Sequence, residues 1–227
     1  MGIKHFGSYD ASTQVSNHFT LGDLTVTQQN ADNTPSDSDF ANLQKLGAVL
    51  DTLFDTIGPF NVISAYRSAA VEAALTASGQ PTAEAAAGHI SFHEVGLAAD
   101  IYPTTMSLDD YFGKMMAAMG TSDAPGPLMD QMAEVAYKPS QNSIHLAAAV
   151  DYRANNVILA LNSAGKYAKL SADEIANFAE PYITQAEQAI SNVAAEVATP
   201  MGMGTIAIIG AALYAYFFMG KKKTATT

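Results

Sequence analysis

Two short apolar runs in this chain each carry one ionisable residue at their centre: Asp100 in Leu97-Ala98-Ala99-Asp100-Ile101, and His145 in Ile144-His145-Leu146. Successive side chains of an extended segment point to opposite faces, so each polar residue faces away from its apolar neighbours. Runs of this kind form strands that bury one face and hold a polar group on the other. Ala98 and Ala147, two positions from Asp100 and His145 on the same faces, leave room above the sheet. Ahead of the first run, His93-Glu94-Val95-Gly96 brings a second imidazole seven residues before Asp100, and Gly96 permits the tight reversal that would carry His93 back beside it. Two neutral imidazoles and a carboxylate, with a fourth position open, are the donors a catalytic zinc needs. His93, Asp100 and His145 are therefore candidate metal ligands, provided that the three segments meet.

Composition narrows the alternatives. The chain has 227 residues, 48% hydrophobic and 15% charged, which suits a folded domain with an appendage. The absence of cysteine excludes disulfides, thiolate metal sites and a cysteine nucleophile, so any metal must be held by histidines and carboxylates. A net charge of −11 argues against generic nucleic-acid binding. Met1 to Phe6 lacks the apolar core of a signal peptide.

The far end differs from the rest. Met201 to Met219 carries no charge and is followed by Gly220 and three lysines, the pattern of a single membrane-spanning helix with a basic stop. Upstream, Ser171 to Thr199 is Ala-rich and acidic. Ser171 with Glu174 has capping-box spacing, and Pro181 suits the first turn of a following helix. Ile183, Ala186, Ile190, Val193 and Val197 then form one apolar stripe, a helical stalk that leaves oligomerisation open. The predicted organisation is a domain over 1–170, a stalk over 171–199, a transmembrane helix over 200–220 and a basic tail over 221–227.

The first domain reads as α+β, a small antiparallel sheet flanked by helices. Helical spacing from Phe40 to Ile57 stops at Gly58-Pro59. Phe60 to Tyr66 alternates as a strand that delivers Arg67 at its end, and a helix is predicted over Ala69 to Ser78. Further stretches lie near Leu108 to Met119 and Met129 to Ala136. Ile144 to Val150 reads as a strand and Asn156 to Ser163 as a short helix. Thr25 to Asp39, rich in Asn, Gln, Asp and Ser, reads as a surface loop.

Several blocks resemble the M15 group of zinc peptidases, the D-alanyl-D-alanine carboxypeptidase-like family that includes many phage endolysins. Asn17-His18-Phe19-Thr20-Leu21-Gly22-Asp23-Leu24 is similar to the family's opening segment, and Ser64-Ala65-Tyr66-Arg67-Ser68 to its substrate-binding SGYRS motif. Ser91-Phe92-His93 through Asp100-Ile101 resembles its SxHxxGxAxDI motif, and Ile144-His145-Leu146 its last ligand strand. Asn156 to Tyr167 fits its closing helix. The resemblance implies a Hedgehog-like peptidase fold, a Zn2+ ion on His93, Asp100 and His145, and Arg67 gripping a substrate carboxylate through its planar fork of donors. The alternative for Arg67 is a salt bridge at a strand end.

The general base is the point of departure. Many relatives carry an acid three residues before the last histidine, where this chain has Asn142, and an amide cannot accept a proton from water. Glu134 resembles the upstream acid of another branch and is the candidate base; otherwise it is an ordinary surface carboxylate. The family's Trp before the last histidine is also absent, with Ser143 near that point. His89, in a loop context, suits a polar role beside the site, and His18 the packing of its own segment. The expected activity is zinc-dependent cleavage of peptidoglycan stem peptides by a membrane-anchored protein of a phage virion, a lytic enzyme, or a bacterial envelope. The alternative is a metal-holding module that binds cell wall or builds a virion membrane, alone or with other virion proteins.

Overall fold

The computed structural model describes residues 5–6, 9–80, 91–120, 126, 128–149, 157–161 and 167–197. The expected membrane span over 200–220, the basic tail and His89 lie outside the described residues, as do the side chains of His5, Ile190, Val193 and Val197. Among the described residues no helix is long and apolar enough to cross a membrane.

The chain forms two compact units, one of residues 1–108 with 131–169, the other of 109–130 with 170–227. The first is α+β. After a two-stranded ribbon, β1 (His5–Phe6) with β2 (Tyr9–Asp10), come a short helix α1 (Leu21–Leu24) and the long helix α2 (Asp37–Ile57). The sheet takes β3 (Phe60–Ser64), β4 (Ala98–Pro103), β5 (Met132–Lys138), β6 (Ser143–Ala148), β7 (Val157–Leu161) and β8 (Tyr167–Lys169) in the order β3-β4-β6-β5-β7-β8, with α3 (Ala69–Ala77) between β3 and β4.

Two expectations need correction. The sheet is mixed, because β5 and β7 run parallel while the other pairs are antiparallel. Val157 to Leu161, expected within a helix, is that parallel strand. Val-Ile-Leu-Ala-Leu has no polar residue to reveal a period, and a short apolar run fits a buried strand as well as a helix segment.

Local chemistry sets the remaining elements. Ser36 and Asp39 cap each other's backbone at the start of α2, and Thr20 and Asp23 do the same for α1. Leu43, Leu46, Leu50 and Leu53 of α2 are fully buried, each contributing about 1.5–3 kcal/mol, and α2 packs against β6. Asp51 on α2 accepts hydrogen bonds from Ser16 Oγ and the amides of Asn17 and His18, while the His18 ring stacks on Phe54 at 4.3 Å. The opening segment is thereby fastened to α2.

Gly96 makes the reversal before β4. Its φ is +72°, a left-handed conformation, and a Cβ there would meet Asp39 O at 2.8 Å and Leu43 Cγ at 3.2 Å. Glycine is thus required both by dihedral and by the closeness of α2.

In the second unit, α4 (Leu108–Met119) and α5 (Ala172–Val197) pack closely. Phe112 meets Phe178 edge-on at 4.9 Å, and the Tyr182 hydroxyl donates to Asp110 Oδ1 at 2.6 Å. Gly113 allows the approach: a Cβ there would lie 2.6 Å from Phe178 O and closer still to the Tyr182 ring. The helix runs through Pro181 without the new start predicted there. Pro181 is exposed, so the carbonyl one turn back that loses its N–H partner can turn to water.

Replacing Gly96 by alanine should cost about 2–4 kcal/mol, from left-handed backbone strain plus overpacking against α2. Urea unfolding of the variant checks this, and a loss under about half a kcal/mol would show that the turn relaxes freely.

Candidate metal centre

Strand register places the first pair of donors. Asp100 and His145 are direct partners across the antiparallel β4–β6 pair, with Ala98 opposite Ala147 beside them. Partners in register share a face, so both side chains rise from one side of the sheet. The two alanines are fully buried, which corrects the expectation of open room above them; solvent reaches the cluster at Asp100, whose side chain is 17% exposed.

The turn from Ser91 to Leu97 brings in His93. Its amide is bound by Ser91 Oγ, its carbonyl accepts from the amides of Gly96 and Arg67, and Leu97 N donates to Phe92 O. Asn42 on α2 holds the Val95 carbonyl. His93 is 1% exposed, and its Nδ1 lies 2.6 Å from the Ala65 carbonyl oxygen. A carbonyl only accepts, so Nδ1 carries the proton and the Nε2 lone pair faces the cluster.

Three donors converge there. His93 Nε2 lies 3.2 Å from His145 Nδ1. Asp100 Oδ1 lies 3.1 Å from His145 Nδ1, and Oδ2 lies 3.6 Å from His93 Nε2. Ligands about 2.0–2.1 Å from a tetrahedral zinc stand about 3.3 Å apart, which the two imidazole nitrogens match, while the carboxylate meets one of them through Oδ1 and the other through Oδ2. His93, Asp100 and His145 thus form a buried group that could hold a metal ion.

A second strand flanks the group. Glu134, Ala136 and Lys138 alternate on β5, and Ala136 is the direct partner of His145. Lys138 Nζ donates to Asp100 Oδ1 at 2.8 Å and lies 6.0 Å from the centre of the Tyr167 ring. Glu134 Oε1 lies 3.8 Å from His145 Nε2, the ring nitrogen on the other side from the donor cluster. That nitrogen is buried and has no hydrogen-bond partner among the described residues. With His93 Nε2 accepting and Asp100 ionised, the proton of a neutral His145 belongs on Nδ1, and Nε2 is left as an unmatched acceptor. An ion on Nδ1 reverses this: the proton moves to Nε2, facing the Glu134 carboxylate. Carboxylate–histidine–metal arrangements of this kind fix ring orientation.

Electrostatics follow the packing. Burial pushes the His93 pKa well below the usual imidazole value; the charges of His145 and Arg67 add to this and Asp100 opposes it. Burial opposes ionisation of Asp100, yet the His145 hydrogen bond and the surrounding His93, His145 and Lys138 hold it well below the usual carboxylate range. Burial likewise works against the Lys138 ammonium, but Asp100 and Tyr167 outweigh it and its pKa is raised.

Arg67 follows β3 and meets Glu72 of α3, Nε to Oε1, at 2.9 Å. The approach lies off the line of a hydrogen bond, so the attraction is mainly Coulombic. This is the salt bridge held as the alternative for Arg67. Its neighbours are fixed by Asn33, whose amide group donates to the Thr25 and Tyr66 carbonyls and whose oxygen accepts from Ser68 N. The segment read as a surface loop therefore carries a buried residue that shapes the arginine turn. Asn142 sits in the left-handed conformation (φ 50°) that ends the 3-10 turn joining β5 to β6. Asparagine, like aspartate, tolerates that conformation, so the residue suits the turn.

Lys138 is the residue that sequence reading missed. Its signal is period-two spacing from Glu134 on a strand whose hairpin fixes register with β6. Comparison with protein-family models, curated proteins and solved structures finds no match.

The depressed His93 pKa has a consequence for metal-free protein. Below pH about 6.5 the unfolded chain binds a proton that folded His93 refuses, so stability falls as pH drops. Asp100 adds a further loss below pH about 4, as its carboxylate is forced to protonate. In chelator the urea midpoint should decline from pH 7 to 5 and then drop again; a flat midpoint over pH 7 to 5 would contradict a buried neutral His93.

Proposed function

We propose that this chain is a zinc-dependent hydrolase that cleaves peptide bonds in peptidoglycan stem peptides. The observation that carries the reading is the meeting of His93 Nε2 and His145 Nδ1 at 3.2 Å beside the Asp100 carboxylate, whose Oδ1 lies 3.1 Å from His145 and Oδ2 3.6 Å from His93, with His93 locked by Ala65. His93, Asp100 and His145 would hold the ion, and the all-nitrogen-and-oxygen donor set suits Zn2+. When bound, zinc supplies Lewis-acid polarisation of a carbonyl and a more acidic water. Glu134, whose side chain is 26% exposed, would take up the proton released by the attacking water. Arg67, its direction set by Glu72, would face a substrate carboxylate. The likeness of Ser64–Ser68 and Ser91–Ile101 to the D-alanyl-D-alanine carboxypeptidase-like peptidases supports wall peptide as the substrate. The uncharged run over 201–219, followed by lysines, supports a membrane anchor, and a phage virion is the setting that brings such a protein to the wall.

One observation favours a second reading. Glu134 faces Nε2 of His145, on the side away from the three donors, and Asn142 serves a turn, so among the described residues no carboxylate besides Asp100 itself is placed beside the donor nitrogens to act as a base. In that reading the chain is a metal-holding module that binds wall peptide without cutting it.

Full-length protein in detergent decides between them. In the first reading it binds one zinc per chain, releases peptide fragments from purified sacculi, and stops in chelator. Glu134→Gln then lowers cleavage by about a hundredfold or more while zinc remains bound. Zinc uptake and sacculus binding without any released peptide would leave the module. No zinc uptake by a folded chain would remove both.

A further inference from the structure

Asp100 is the one of the three donors that could close on an ion with two atoms at once, and one of its oxygens is gripped from outside the group. Lys138 Nζ donates to Oδ1 at 2.8 Å, the oxygen that also lies 3.1 Å from His145 Nδ1, while Oδ2 faces His93 Nε2 at 3.6 Å. The lysine is itself firmly held. Its side chain is only 10% exposed, its backbone is paired with Ser143, and Pro139 and the left-handed Asn142 close the turn behind it. The Tyr167 ring bounds the ammonium on a further side.

A free lysine near a divalent ion repels it, and a surface would favour placing the ammonium in water. Here the cation is drawn into the sheet face and spent on one carboxylate oxygen. We propose that Lys138 is the positioning residue of the metal group: by holding Oδ1 of Asp100 it makes that carboxylate a one-oxygen donor through Oδ2 and keeps the three donors assembled before an ion arrives. This rests on the metal-binding reading above and adds a residue to it. Lys138 acts through Asp100 and touches neither ion nor substrate. It also supplies a compensating charge, so Asp100 need not wait for a metal to be neutralised, and the fold should form in chelator.

The two effects of Lys138 on an ion have opposite signs, which makes the proposal testable. Repulsion alone means that removing the charge tightens binding. Positioning means that removal weakens it, by about ten- to a hundredfold as for other residues that orient metal ligands. The measurement is zinc affinity by competition with a chromophoric chelator, together with the visible spectrum of the cobalt(II)-loaded full-length protein. Lys138→Met should bind zinc about ten- to a hundredfold more weakly. Its cobalt spectrum should move from the intense bands of a four-coordinate ion to the weaker bands of a higher-coordinate one, as Asp100 closes on the metal with both oxygens. Lys138→Arg, which can still donate to Oδ1, should retain both affinity and spectrum. Should Lys138→Met fail to fold by circular dichroism, Lys138→Leu, uncharged and without a donor, carries the same test.

Equal or tighter zinc binding with an unchanged cobalt spectrum would overturn the positioning role while leaving the metal site standing. A folded wild-type protein that takes up neither zinc nor cobalt would overturn the metal reading, and the role of Lys138 with it.

Discussion

Asp100 is held inside one face of a sheet by nitrogen-bearing groups from three different segments, and the order of the first unit is arranged around that carboxylate. His145 stands opposite it across a strand pair, Lys138 reaches it from the next strand, and His93 is folded back onto it by the turn at Gly96. A buried carboxylate alone would lose its proton only at considerable cost. Surrounded this way it remains ionised well below the ordinary carboxylate range, and the cost of its burial is offset by Lys138 and the imidazoles. Each of these partners is fixed in turn: His93 by Ala65, Lys138 by the β5–β6 turn and Tyr167, the Gly96 turn by α2.

The same arrangement leaves a group that could hold a metal ion as well as serve as a salt-bridge network. A network made for charge neutralisation would point its protons at acceptors. Here His93 gives its single proton away from the cluster, to Ala65, and turns a lone pair inward. His145 has its outer nitrogen buried and, among the described residues, unmatched. The inward lone pair of His93 accepts from His145 Nδ1 in the absence of an ion; the unmatched His145 nitrogen becomes favourable if a cation takes Nδ1 and the proton moves to Nε2. Lys138 complicates this in an instructive way, because it supplies a cation to Asp100 already. It lies on one oxygen and leaves the other, so the two cations need not exclude each other.

How much of this was legible in the sequence depends on the kind of signal. The alternation around Asp100 and His145 told which way both side chains would face, and the register then set them opposite each other. Gly96 was legible because few residues but glycine fit a left-handed turn packed against a helix. The Val157–Leu161 strand was not legible, since an unbroken apolar run hides its period. Lys138 was hidden for another reason: its role depends on β5 lying beside β6, a pairing of residues that no local spacing encodes. Asn33 was hidden too, because a polar residue in a polar segment reads as solvated until its three hydrogen bonds to the Arg67 turn are seen. Asn142 shows the reverse case, a residue singled out for chemistry that ends a turn in the left-handed conformation.

Zinc-edge X-ray absorption on the loaded full-length protein tests the donor group most directly. Two imidazoles and a carboxylate oxygen should give a nitrogen–oxygen shell at about 2.0–2.1 Å with the outer-shell scattering of two histidine rings, reduced to one ring in His145→Ala. A shell of oxygens without imidazole scattering, or a spectrum unchanged in His145→Ala, would place the ion elsewhere and contradict a centre built from His93, Asp100 and His145.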